Sequence, residues 1–475
     1  MSATEGSSRP QARLSMRELL QISVYWLAIN AMWGAIDIQI LPFLMDEVVC
    51  GELRGQACLG SERPIFAGVV VSKEIALAML AFAGALVAMA VQPVVAAISD
   101  YTITRWGRRK PYILIGTLLD LVFLAGLAWS NSFLAVLAFL MLLQFSSNFA
   151  QGPFQGYVPD LVPASQVGLA SGLMGLMIIL GNVVGLAAAG LAIASGEWRL
   201  GLAAVAVLEL TTMLATVLTV REPTKAAPPR RGGSLAEAVR GTVADVLSQR
   251  DFLWLLGSRF SFLVGASMLT RWAFFYMQDS IGLSVAQTAL AVTVAGALIL
   301  VFNGLSVFPS GILSDRYGRK RMIYVACVIA FVGMLPLVVA QRDPALTFVL
   351  GLPSGPLEVV YPLAGLAVIL VGIGFGTFIA VDWALMTDII PKETTGRYMG
   401  ISNVATAIAG PSALVSGGLM IALFNELLTF GAGPRAALLL GAGLFILCAL
   451  LLRPVDPRRR EDRALLAPAE PSPPI

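Results

Sequence analysis

The chain has no histidine. That absence excludes a histidine proton relay and histidine-ligated metal. Charge is scarce as well: 13% of the 475 residues are charged, against about 25% in soluble domains. The four cysteines show no CxxC spacing. Cys327 and Cys448 fall in apolar runs, where cysteine acts as a small hydrophobe. No nucleophile–base set, metal cluster or phosphate-cradling loop stands out, so the sequence argues against an enzyme. Residues Met1–Arg17 are polar and lack a short apolar core with a small-residue cleavage site. The expectation is an uncleaved first helix that serves as its own signal.

What fills the chain is apolar. It is 57% hydrophobic with a mean hydropathy of +0.81. Uninterrupted apolar runs of bilayer-crossing length, about 20 residues, recur throughout. In lipid every backbone group must bond internally, so spans are helices or closed barrels. Runs this long lack the alternation of barrel strands. The reading is an all-α membrane protein with twelve spans: 18–45, 70–98, 111–130, 133–158, 167–194, 198–220, 252–278, 284–312, 321–341, 358–389, 397–426 and 435–453. The widest break, 221–250, divides six helices from six. The organisation expected is a 1–17 N-terminus, an 18–220 bundle, a 221–250 linker, a 251–453 bundle and a disordered 454–475 tail.

Basic residues collect on one side of the membrane. They include Arg9, Arg13 and Arg17, the groups 105–110 and 316–321, the linker arginines, Lys392, Arg397 and the tail. The net charge of +3 matters less than this placement. By the positive-inside rule that side is cytoplasmic, which puts both termini there in a plasma (cytoplasmic) membrane. Within the linker, Ser234 and Glu237 form a capping-box pattern. Leu235, Val239, Val243, Val246 and Leu247 share one face, so a surface helix is expected. Cys50 and Cys58 share one outer loop; a disulfide and two free thiols both remain open.

Two features occur once per half. The stretch SDYTITRWGRRKP carries Asp100, Arg105, Gly107, Arg108, Arg109 and Lys110 between spans 2 and 3. The stretch SDRYGRKR carries Asp315, Arg316, Gly318, Arg319, Lys320 and Arg321 between spans 8 and 9. PDLVPASQVG (159–168) and TDIIPKETTG (387–396) are the second matched pair. One six-helix unit therefore occurs twice. Glycine allows a tight turn, and arginine bridges carboxylates such as Asp160 and Asp388. The knots read as a cytoplasmic latch that holds the two bundles together in one state and releases them in another.

PSGILSDRYGRK (309–320) resembles the signature loop of the major facilitator superfamily, and 99–110 is its expected partner. The longer first copy, with Pro111, resembles the glycoside–pentoside–hexuronide cation symporters and the sucrose transporters. QGPFQGYVPDL (151–161) is similar to the Q-G-P segment of the sucrose transporters. The resemblance implies secondary sugar transport by alternating access with a co-transported cation. Sucrose transporters carry arginine where this chain has Gln155. Melibiose-type symporters bind sodium through acids in helices 2 and 4; here the interiors Ile75–Ile98 and Phe133–Val158 hold no acid, so a proton is the expected coupling ion and sodium the lesser choice.

Ionisable groups at membrane depth read as functional. Arg259 and Asp382 lie at similar depth from the cytoplasmic ends of spans 7 and 10 and are expected to pair. Asp37 and Arg271 lie at equivalent depth in spans 1 and 7, an expected second pair. Without histidine, Asp37, Asp160 and Asp382 are the coupling candidates. Asn30, Gln144, Asn148, Gln151 and Gln155 offer amides that suit a polyhydroxy ligand. Trp33, Trp272, Tyr276 and Trp383 are candidates to stack on a sugar face. Gly168/Gly172 and Gly181/Gly185 in span 5 have GxxxG spacing, which permits close helix approach. The expected protein is a monomeric, proton-coupled sugar or glycoside symporter with no resident cofactor, no metal and no nucleic-acid partner. Export of amphipathic compounds, and a membrane assembly or pigment-delivery role on the same fold, are the alternatives.

Overall fold

The computed structural model describes residues 13–51, 58, 62–100, 102, 104–163, 166–222, 249–341, 348–352, 355–359, 362–389 and 395–456. The linker surface helix and most of the tail lie outside these residues. Among the described residues twelve helices are long and apolar enough to cross a membrane. In chain order they are α1 (Met16–Cys50), α2 (Lys73–Asp100), α3 (Lys110–Ala128), α4 (Phe133–Phe154), α5 (Val167–Ala194) and α6 (Trp198–Thr219). The second set is α7 (Arg250–Ser280), α8 (Val285–Tyr317), α9 (Arg319–Val339), α10 (Pro362–Ile389), α11 (Thr395–Leu427) and α12 (Ala432–Leu452).

The helix starts follow local chemistry. Ser15 and Glu18 form a reciprocal capping box on α1, and Ser284 and Gln287 form one on α8. Such boxes satisfy amide groups that a helix start leaves without partners. Gly107 and Gly318 turn the chain at the two basic knots with φ of +112° and +93°, a conformation that glycine adopts without steric cost.

Two boundaries differ from the sequence reading. Span 1 was expected to end at 45 but runs to Cys50, because Asp46 and Glu47 sit in a further helical turn. Span 10 was expected from 358, yet Phe348–Leu352 (β1) pairs antiparallel with Gly355–Val359 (β2) and the helix begins at Pro362. Proline has no amide hydrogen and suits a first helical turn.

The bundles meet through α2 against α11 and α5 against α8. Small residues set these approaches. Gly418 of α11 faces the backbone of Glu74, and Gly190 of α5 faces Thr293 and Ala289 of α8. Both contacts lie on the far side, away from the basic loops. Nearer the basic side a Cβ at Gly172, Gly175 or Gly311 would meet nothing within 4 Å. The two bundles are thus closed at the far side and parted at the basic side. Within the first bundle, Gly181 and Gly185 of α5 press on the carbonyls of Leu27 and Ala31 of α1, as the GxxxG spacing implies.

Candidate functional site

Three wide helical turns interrupt the two first helices of the bundles: Ile36–Ile40 and Asp46–Cys50 in α1, and Tyr276–Ser280 in α7. Such π-type turns occur often at functional sites. Here each one aims a polar side chain inward.

Asp37, in the first wide turn, bridges Arg271 of α7 at 2.5 Å. The pair joins the two bundles at mid-membrane and lines two cavities at once. One is a central cavity of about 390 Å³. Its polar lining is Asn30, Trp33, Asn182, Ser267 and Thr270 beside the ion pair. The opposing wall is aliphatic, built from Leu186, Val292, Ile299, Leu300, Leu337 and Val368. The other, about 460 Å³, runs from the ion pair past Gln144 and Gln92 to Ala96 and Gln155 near the basic ends of α2 and α4. It is a vestibule open to the basic side.

The far end is sealed by a second polar set. Lys73, first residue of α2, lies 3.1 Å from Asp46 of α1 and 2.9 Å from Asp279 of α7. Gln278 donates to the other oxygen of Asp46 at 2.9 Å. These groups are buried, and the ammonium also lies 4.6 Å from the centre of the Phe275 ring. Below them Gln39 donates to Thr293 across the bundle interface at 2.9 Å. Lys73 was not among the residues singled out from the sequence.

The other expected residues fall in distinct places. Arg259 and Asp382 are bridged, buried inside the second bundle, and Thr406 accepts from the guanidinium at 3.1 Å. Asn30 accepts from Asn182 of α5 at 3.4 Å, and the Trp33 ring N–H donates to Ser147. Asn182 was not anticipated; its signal was a lone amide in the apolar span 5, between Gly181 and Gly185. Tyr276 lines the central cavity, though its hydroxyl is donated to the Leu337 carbonyl.

Two expected ligand contacts are corrected. Trp272 is fully buried, with its ring N–H donated to Ala413 of α11 at 3.1 Å, so it is packing between helices and no stacking face. Asn148 is buried and spends its amide on Gln144 of its own helix. Gln151 and Trp383 lie outside the lining of both cavities. The Trp383 ring instead carries Arg259, 5.2 Å from its centre.

Asp160 stands at the basic rim and not in the cavity. It accepts from Arg109 at 2.7 Å and pairs with Arg108 at 2.8 Å. Arg109 also donates to Pro153 and Ser99. In the second bundle Arg319 repeats the pattern on Asp388, 2.9 Å away, with Asp315 at 3.7 Å. In this state each knot bridges the aspartate of its own bundle, the released arrangement of the latch expected from the sequence. Arg105, Asp315 and Arg316 are exposed, and Arg316 packs on Tyr317. The side chain of Asp100 lies outside the described residues. Glu222, unforeseen, takes the backbone N–H groups of Arg108, Arg109 and Lys110 and the Tyr157 hydroxyl. A carboxylate at a helix start is favoured by the helix dipole. Burial, then the neighbouring Glu222 charge, pushes the Tyr157 phenol well up. Cys50 and Cys58 are joined in a disulfide on the far side, which closes the choice left open by the sequence.

Twelve helices in two repeated bundles around a central polar cavity, shut at one end and open at the other, define a membrane transporter. The family model of the Major Facilitator Superfamily matches residues 64–414, and the chain belongs to that superfamily. It is an integral membrane transporter of small-molecule substrates and not an enzyme. It is 31% identical over 125 residues to the sucrose transport protein SUT1 of Oryza sativa subsp. japonica, covering 22% of this chain and 23% of that one. The match thus spans about a quarter of that relative's length. It is 23% identical over 368 residues to a multi-drug resistance efflux pump PmrA homolog of Lactococcus lactis subsp. lactis, covering 73% of this chain and 79% of that one. The crystal structure of a D-xylose-proton symporter superposes with a TM-score of 0.65 at 17% identity, covering 92% of this chain and 96% of that one.

Proposed function

We propose that the protein carries a sugar or glycoside by alternating access, driven by a co-transported proton. One observation supports this above all. The Asp37–Arg271 pair stands in the central cavity with the Asn30 and Asn182 amides and the Trp33 ring beside it. Amides and an ion pair offer donors and acceptors together, which suits hydroxyl groups. An indole and an aliphatic wall suit the apolar face of a pyranose ring. The partial likeness to a sucrose transport protein agrees with this reading. The basic side is then cytoplasmic, by the positive-inside rule. The protein sits in the cytoplasmic membrane and acts as a monomer without a resident cofactor. The proton is carried by a carboxylate, Asp382 or Asp37, since the chain offers no histidine.

The test is uptake of labelled disaccharides into proteoliposomes, with and without an inward proton gradient. Gradient-dependent accumulation supports sugar–proton symport. Uptake that ignores the gradient keeps the sugar and discards the proton. No uptake of any sugar by folded protein transfers the reading to the second one, export of an amphipathic compound. The aliphatic wall from Leu186 to Val368 is the observation that favours that second reading.

A further inference from the structure

A polar cluster apart from the central cavity and the vestibule lies inside the first bundle, where α1, α3, α4 and α6 meet. Asp120 of α3 and Glu209 of α6 are both fully buried. Neither lines the central cavity or the vestibule. α3 packs along α6, which brings the two carboxyls close enough to act on each other. Ser146 of α4 donates to one oxygen of Asp120. The Tyr25 hydroxyl of α1 lies 2.5 Å from Thr117 of α3 and 3.5 Å from Glu209. Asp120 Oδ2 and Glu209 Oε2 receive no hydrogen from any other group among the described residues.

The groups that face the pair are therefore hydroxyls: Tyr25, Thr117 and Ser146. Among the described residues no lysine or arginine forms an ion pair with either carboxyl. Two ionised carboxylates buried together with no cation are strongly disfavoured; like charges in one site force one of them to keep its proton.

In the second bundle α7, α9 and α12 meet at Ser258, Cys327 and Cys448. Ser258 donates to the Cys448 carbonyl at 3.0 Å, and the two sulfurs lie 3.3 Å apart. The acids of the first bundle lie where an unneutralised charge costs most.

We propose that Asp120 and Glu209 form a proton-binding dyad, one proton shared between two carboxyls and seated against α1 by the Tyr25 hydroxyl. The dyad titrates as a unit, so the proton belongs to the pair and not to either residue. It is separate from the Asp37–Arg271 and Arg259–Asp382 pairs, each of which has its own guanidinium. The proposal does not depend on which solute is carried.

The experiment is infrared spectroscopy of the full-length protein in lipid at neutral pH, in water and in deuterium oxide. The expected result is a protonated-carboxyl band that shifts in deuterium oxide and is lost in both Asp120→Asn and Glu209→Gln. A wild-type spectrum without such a band overturns the proposal; a metal cation in the same place would give that result, because both carboxyls would be ionised. A band that persists undiminished in both variants overturns it as well. Ser146→Ala leaves both acids in place and removes one hydroxyl from Asp120. It is expected to move the band, and an unmoved band assigns the proton to another group.

Discussion

Lys73 of α2 holds Asp46 of α1 and Asp279 of α7 at once, 3.1 and 2.9 Å away. One ammonium thereby fastens the first bundle to the second on the far side. With the vestibule open on the basic side, the structure is one end-state of a two-state device. Opening the far side requires this lock to come apart.

Removing the ammonium should favour the opposite state. Lys73→Met leaves two buried carboxylates facing each other, and breaking a buried ion pair costs about 3–5 kcal/mol. That penalty falls on the closed-far-side state alone. A cysteine placed at Thr293, in the sealed zone, should react with impermeant thiol reagents from the far side in the Lys73→Met background. It should stay unreactive with Lys73 present. Equal labelling in both backgrounds would show that Lys73 is not the lock.

Arg271→Gln should abolish both net uptake and exchange. It removes the cationic half of the pair that lines both cavities, so the loss falls on solute binding itself. Equilibrium binding of the transported solute checks this; unchanged affinity would move the site away from α7.

Asp382→Asn should separate two activities that Arg271→Gln does not. Asp382 is buried with Arg259 inside the second bundle and lines neither cavity. The variant is expected to lose gradient-driven accumulation and keep solute exchange. Active accumulation that survives in the variant removes Asp382 as the coupling group.

Gly185→Leu should destabilise the first bundle. A side chain there collides with the Ala31 carbonyl of α1, and overpacking of this kind costs about 1–3 kcal/mol. Thermal unfolding in detergent measures it. Gly311→Leu serves as the control, since its surroundings are open.

The helices, the duplication and the depth of Asp37, Arg259, Arg271 and Asp382 were legible in the sequence. Depth along a span follows from counting, which is how Arg259 came to be matched with Asp382, and Asp37 with Arg271. Azimuth around the helix axis was not legible. Trp272 follows Arg271 directly, yet one residue is about 100° of rotation on a helix of 3.6 residues per turn. That rotation carries the indole from the cavity into the packing against α11. The wide turns at Ile36–Ile40 and Tyr276–Ser280 shift the register further, and nothing in the pattern of residue types announces them. Lys73 and Glu222 were missed for another reason. Both stand at the ends of apolar runs, where charge ordinarily meets water, and only the tertiary fold brings buried partners to them. Asp120 and Glu209 are far apart in sequence, so their meeting depends on how α3 packs against α6.

The two basic rims are fastened in mirror-image chemistry. In the first bundle the end of α6 reaches the start of α3 through the Glu222 carboxylate on backbone N–H groups. In the second, Lys320 at the start of α9 donates to the carbonyls of Arg453 and Val455, just past α12. An anion does in one half what a cation does in the other. Each bundle is thus a hoop whose last stave is pinned to its third. A hoop turns as a piece, so the motion that exchanges one open mouth for the other is concentrated between the hoops and not within them.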